Sequence, residues 1–150
     1  MAGDAVFVDT NVLLTATTPG RALHREAIRV LEEWPKRKIP LWVSAQILRE
    51  YLVVATRPAE VNGLGLGPDE ALENIAQFQH RLVLLKERSA VFDRLRQLIR
   101  QFDCRGKQIH DANLVATALV HGAASILTIN VEDFQRFASL IEITPLGEPS

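Results

Sequence analysis

Apolar residues along this chain fall into two patterns that take turns. Residues 5–8 are a short unbroken apolar run, the mark of a strand buried on both faces, and the apolar-rich segments 41–43, 82–85, 125–129 and 140–143 read as further strands. Between them, apolar residues recur every three or four positions, the spacing of one helix face. Leu23, Ala27, Val30, Leu31 and Trp34 form such a stripe, which Pro35 ends. Ile47, Leu48, Tyr51, Leu52 and Ala55 form another, capped by Ser44 and closed by Arg57 and Pro58. A third stripe, Ala71, Leu72, Ile75 and Phe78, follows a capping Asp69. The fourth follows a capping Ser89 and carries Val91, Phe92, Leu95, Leu98, Ile99 and Phe102. A polar turn at 104–107 leads to Ala112, Val115, Ala116 and Leu119, a helix that Gly122 stops. Residues 131–138 predict a short helix, and the glycine-rich stretch 62–68 a loop. Strands alternating with helices predict an α/β fold, a three-layer α/β/α sandwich around a mostly parallel sheet. Its domain is expected over 1–144, with 145–150 a frayed tail.

Composition narrows what such a domain can do. At 150 residues, 47% of them hydrophobic, the chain is one domain with enough apolar material for a core. A net charge of −1 excludes a basic wrapper of nucleic acid. Contact with phosphates must come from local patches or bound cations. Lone Cys104 excludes an internal disulfide and a multi-cysteine zinc site, which favours a reducing cytoplasm. The opening residues lack the basic-then-apolar order of a signal peptide. No apolar run approaches the ~20 residues that span a bilayer, so no membrane partner is expected.

Ligands of open α/β sheets bind beyond the carboxyl ends of the strands, so the polar residues following each apolar run are the informative ones. Asp9, Thr10 and Asn11 come directly after the first run. Thr128, Asn130 and Asp133 span the end of a later run and the helix start beyond it. His110, Asp111 and Asn113 open the preceding helix, and Glu50 lies in the helix after Val43. In a parallel sheet these acids can meet at one rim. Gathered carboxylates raise one another's pKa and stay ionised at neutral pH only beside compensating cations. An oxygen-only donor set suits Mg²⁺ or Mn²⁺ better than zinc. Such ions neutralise an approaching phosphate and activate water, which lets a mildly acidic protein act on nucleic acid.

These residues carry a family resemblance over nearly the whole chain. Val8-Asp9-Thr10-Asn11 resembles the opening motif of the PIN-domain ribonucleases, and among them the VapC-like toxins of bacterial toxin–antitoxin pairs. Glu50 falls where that family places its helical acid, and the segment 106–119 resembles the one carrying the third, Asp111. The stretch 128–134 resembles the closing motif. Many relatives have an aspartate directly after that last strand, where this chain has Asn130; Asp133 matches the variant with the acid three residues later. The resemblance implies a PIN-like fold and a Mg²⁺- or Mn²⁺-dependent endoribonuclease. Asp9, Glu50, Asp111 and Asp133 would be its metal-holding, catalytic residues, supported by Thr10, Asn11 and Asn130. It further implies an RNA cut that leaves a 5′-phosphate and a 3′-hydroxyl. A small antitoxin would block the acidic rim with its tail, through an arginine, and the toxin would be a homodimer.

Each residue also has an ordinary explanation. Asp9 can be a turn residue, and Asp111 can serve only the dipole at a helix start. Glu50 can pair with Arg49 or Arg57, a contact usually worth under ~1 kcal/mol. Asp133 fits a plain helix start, and Asn130 can cap that helix, bind a water or orient Asp133. His110 is a surface or substrate histidine. Arg105 and Lys107 are a solvated turn or a phosphate contact. Arg21, Arg25 and Arg29 form a solvent face first and an RNA-docking face second. Residues 62–67 lack the Gly-Lys-Ser/Thr ending of a phosphate loop. Two other functions stay open: a PIN-like module that binds RNA or a partner without cutting, and an acid-rich phosphotransferase domain of another α/β family.

Overall fold

The computed structural model describes residues 4–147. Five strands form one parallel sheet in the order β3-β2-β1-β4-β5. They are β1 (Val6–Val8), β2 (Leu41–Val43), β3 (Leu82–Leu84), β4 (Ser125–Thr128) and β5 (Glu142–Pro145). Phe7 lies beside Trp42 on one flank and Ile126 on the other. All of β1 and β4 is buried, as expected for central strands covered on both faces.

Seven α-helices make the outer layers among the described residues. They are α1 (Thr10–Thr17), α2 (His24–Lys36), α3 (Ala45–Thr56), α4 (Pro68–Gln79), α5 (Ser89–Phe102), α6 (Gln108–His121) and α7 (Val131–Phe134). Parallel crossovers are right-handed, so the step β1 to β2 to β3 puts α1–α4 on one face. The return from β3 to β4 and on to β5 puts α5–α7 on the other. Helix α1 packs on α2 and α3, and α5 on α6, in agreement with this division. Connections leave β1 and β4 in opposite directions. The crevice between their carboxyl ends is therefore the topological switch point of the sheet.

Several local expectations need correction. Helix α1 has no amphipathic stripe to announce it, because Thr10, Val12, Leu13, Leu14 and Thr15 are all buried. Helix α2 includes Pro35 in its last turn and ends at Lys36. Asp69 does not cap α4; Gly67 holds that place, Pro68 opens the helix, and Asp69 sits in the first turn. Ser89 does not cap α5 either: Arg88 precedes the helix and makes no side-chain cap bond. Leu72 and Phe92, on the apolar stripes of α4 and α5, are 52% and 62% exposed. The helix expected over 131–138 is shorter, with α7 followed by a 3₁₀ turn Gln135–Phe137. The amides of Leu140 and Ile141 bond back to the Phe137 carbonyl, so the last strand begins two residues later than its apolar run. It carries the ordered chain past residue 144: Pro145 pairs with Thr128, and Leu146 is buried. Of the expected tail, residues 148–150 lie outside the described residues.

Other expectations hold. The Ser44 hydroxyl caps α3 by accepting from the Ile47 amide, and Gly122 ends α6 with φ +82°. The glycine-rich loop folds back on the end of α3, with Gly65 donating to the Arg57 carbonyl. At Gly63 a side chain would meet that same carbonyl oxygen at 1.8 Å, so only glycine passes there. No helix among the described residues is long and apolar enough to cross a membrane.

Candidate active site

Asp9 follows β1 directly and caps α1. Its amide donates to the Leu127 carbonyl at 3.0 Å, extending the β1–β4 pairing to the switch point. One carboxylate oxygen accepts from the Thr10 amide at 2.8 Å and the other from the Thr128 hydroxyl at 2.7 Å. The Thr128 oxygen also accepts from the Asn130 amide at 3.0 Å and from the Asn11 side-chain amide at 3.5 Å. Asn11 in turn accepts from the Ile129 amide at 3.2 Å. Side chains thus lace the two central strand ends together, and Asp9 is held in the lacing with 8% exposure.

Glu50 approaches from α3. It accepts from the Thr10 hydroxyl at 3.1 Å and from the Gln46 side-chain amide at 2.9 Å. Gln46 also donates to the His110 carbonyl at 3.3 Å and accepts from Asn113 at 2.6 Å, tying α3 to α6. That tie sets Glu50 opposite Asp111, which stands in the first turn of α6. Asp133, exposed on α7, completes the rim. Glu50 makes no ion pair with Arg49 or Arg57, so the surface-pair explanation drops away. Asn130 stands at the cap position of α7 but its side chain makes no cap bond.

One open cleft of about 730 Å³ is lined by Asp9, Glu50, Asp111 and Asp133, with Thr10, Asn11 and Asn130 between them. Every site residue expected from the sequence therefore borders a single cavity. Burial, reinforced by the Glu50 and Asp133 charges, pushes Asp9 up to about 6 against the lowering pull of the Thr128 and Thr10 hydrogen bonds. Asp111 also stands at about 6, raised by burial and by Asp133, Asp9 and Glu50, and lowered by His110. None of the four pairs with a lysine or arginine within 4.0 Å among the described residues.

Such uncompensated, oxygen-only charge fits a hard divalent cation. Among the described residues no three acids or histidines are close enough to cage one by themselves. That spacing suits Mg²⁺, which keeps several waters and takes only one or two carboxylates plus phosphate oxygens.

Gln46, Thr128 and Asn113 are positioning residues; the sequence marks Thr128 and Asn113 only as polar neighbours of the acids and does not mark Gln46. Their only signal is a polar side chain at a strand end or near a helix start, and that acquires meaning only once the partner element is in place. Basic residues near the cleft also differ from those expected. Arg105 is spent on Asp103 and Arg29 on Glu26 and Glu33, whereas Arg49 and Arg57 line the cleft itself.

Comparison with known proteins gives the family and the fold. Residues 6–140 match the PIN domain family. Over 134 residues the chain is 29% identical to ribonuclease VapC48 of Mycobacterium tuberculosis, covering 88% of this chain and 91% of that protein. Its fold is similar to that of VapBC2 from Rickettsia felis, solved bound to a DNA fragment from the promoter. The TM-score is 0.70 at 14% identity, over 94% of this chain and 98% of that one. A toxin–antitoxin complex from Klebsiella pneumoniae gives a TM-score of 0.62 at 22% identity, over 93% and 95% of the two chains. Matched from its first strand to the turn before its last, and built on the same parallel sheet, this chain belongs to the PIN-domain family.

Proposed function

We propose that this chain is an endoribonuclease of the VapC kind, the toxin of a type II toxin–antitoxin pair, that hydrolyses RNA with Mg²⁺ or Mn²⁺. One observation carries the reading: four carboxylates from four separate elements border one cleft at the sheet's switch point. The chain's likeness to a ribonuclease and to a toxin–antitoxin complex supports it. Asp9, Glu50, Asp111 and Asp133 would hold the cation, one or two of them directly and the others through its waters. Bound there, it supplies charge neutralisation of the phosphodiester and acidifies a water for attack. The protein's share is orientation: Thr128 and the Thr10 amide fix Asp9, while the Thr10 hydroxyl and Gln46 fix Glu50. Attack forms a new P–O bond and breaks the bond to the ribose 3′-oxygen, which leaves carrying a proton as the 3′-hydroxyl. A small antitoxin, a second copy of this chain and a cytoplasmic location belong to the same reading.

Purified protein is expected to cut RNA in Mg²⁺ or Mn²⁺ and to stop in EDTA. Expression without its genetic neighbour is expected to slow growth, and an adjacent small gene to relieve that. Cleavage indifferent to chelation, or none across a broad RNA panel, would overturn the enzymatic reading.

A further inference from the structure

A second cavity of about 220 Å³ opens beside the acidic cleft and shares Gln46, Arg49 and Asn113 with it. Its remaining walls have the opposite character. The segment after β3 brings Lys86 and Arg88, and the first turn of α5 brings Phe92 with its ring 62% exposed. Glu87 is its one acidic lining residue. Among the described residues neither Arg49, Lys86 nor Arg88 pairs with a carboxylate within 4.0 Å. Arg88 is steadied only by a 3.5 Å bond to the Val120 carbonyl. Exposed cations beside an exposed ring are what a single nucleic-acid strand requires: a face for one unstacked base and donors for its phosphate. The volume falls below the ~300–1,000 Å³ of pockets for drug-sized ligands, which limits the occupant to about one base.

Resting on the ribonuclease reading, we propose that this cavity is the subsite for the nucleotide next to the cut bond. Phe92 stacks on its base, and Lys86 with Arg88 holds its phosphate. The shared wall explains why the two cavities act on one strand: RNA whose scissile phosphate lies among the carboxylates continues past Arg49 into the basic chamber. Single-stranded RNA, with bases free to turn outward, is then the substrate form.

The test is a fluorescence-anisotropy titration of the full chain with a short single-stranded RNA of randomised sequence, Ca²⁺ replacing Mg²⁺, paired with steady-state cleavage in Mg²⁺. Phe92→Ala is expected to weaken RNA binding about tenfold. KM should rise in step, with kcat unchanged, and Phe92→Trp should restore both. Changing Lys86 and Arg88 to alanine together should flatten the slope of log affinity against log salt by about 0.7, the value for one phosphate no longer neutralised. If the parent cuts RNA while these variants keep its affinity and salt slope, the subsite fails and the ribonuclease reading stands. If the parent binds RNA through these residues yet cuts none, the chamber holds RNA but the ribonuclease reading fails, and with it the chamber's place beside a cut bond. No RNA binding by the parent overturns both. Variants that spare RNA but release a co-purifying small protein assign the chamber to a protein partner and overturn the proposal.

Discussion

On the strand side of the cleft, Asp9 is buried, accepts two short hydrogen bonds and belongs to lacing that joins β1 to β4. On the helix side, Asp111 is half-buried, and burial and neighbouring charges alone set its acidity. Both carboxylates stand at about 6, one despite its hydrogen bonds and the other for want of them. The contrast separates two design roles. Folding itself constructs the strand side, whereas the helix side is held in place by α6 and answers to whatever charge enters the cleft.

The largest effect is expected on activity. Asp9→Asn and Asp111→Asn should each lower kcat/KM by about a hundredfold or more, since charge at such a site is worth several kcal/mol of transition-state stabilisation. Comparable activity in either variant breaks the assignment of that residue. Alanine then sharpens the comparison. Asp9→Ala is expected to be about 1–3 kcal/mol less stable than Asp9→Asn in urea, having lost the α1 cap and left Thr128 without its acceptor. Asp111→Ala should be no less stable than Asp111→Asn. Equal penalties at both positions would show that the two sides are built alike.

Thr128→Val should come next. It removes a hydroxyl that Asp9, Asn11 and Asn130 all use, at a cost of about 1–2 kcal/mol in unfolding experiments. Because that hydroxyl lowers the Asp9 pKa, its loss moves the acid limb of the pH–activity profile upward. A profile that stays in place would break the link.

A smaller effect follows from pH itself. In the unfolded chain both aspartates titrate near 3.8, and in the native one near 6, so between those values the native state binds more protons. Their contribution to stability therefore falls as pH rises from about 4 to about 6 and is flat above. Urea unfolding in EDTA should show this decline in the parent. The Asp9→Asn, Asp111→Asn double variant should lose it, and an identical pH dependence in both proteins would refute the shifts.

Gln46→Leu is expected to have the smallest consequence. Glu50 keeps its bond from Thr10, so kcat should fall by about tenfold at most, with unfolding moved by about 1 kcal/mol. A loss as deep as that of Asp111→Asn would make Gln46 a catalytic residue.

The central strands were legible because Val6–Val8 and Ser125–Thr128 are buried throughout, the first an unbroken apolar run and the second apolar at Ile126 and Leu127. The same all-round burial hid α1, whose threonines and valine also favour extended backbone. Leu72 and Phe92 show the opposite limit: periodicity marks an apolar face without saying whether anything covers it. The acids could be read because each follows a recognisable element. The ties of Thr128 to Asp9 and of Gln46 to Asn113 could not, because these partners lie 119 and 67 residues away along the chain. Their roles exist only in the folded arrangement.

That separation has a consequence for the timing of synthesis. Asp9, Glu50 and Asp111 all emerge from the ribosome before β4, the strand that flanks β1 and supplies Thr128. Until Ser125–Thr128 is made, β1 lacks one neighbour and Asp9 lacks one anchor. Chains are built at ~5–20 residues per second, and pairings so distant in sequence close late. A nascent or prematurely ended chain therefore carries most of the acids but not the framework that aims them. Competence waits until Ser125–Thr128 has been made and paired with β1.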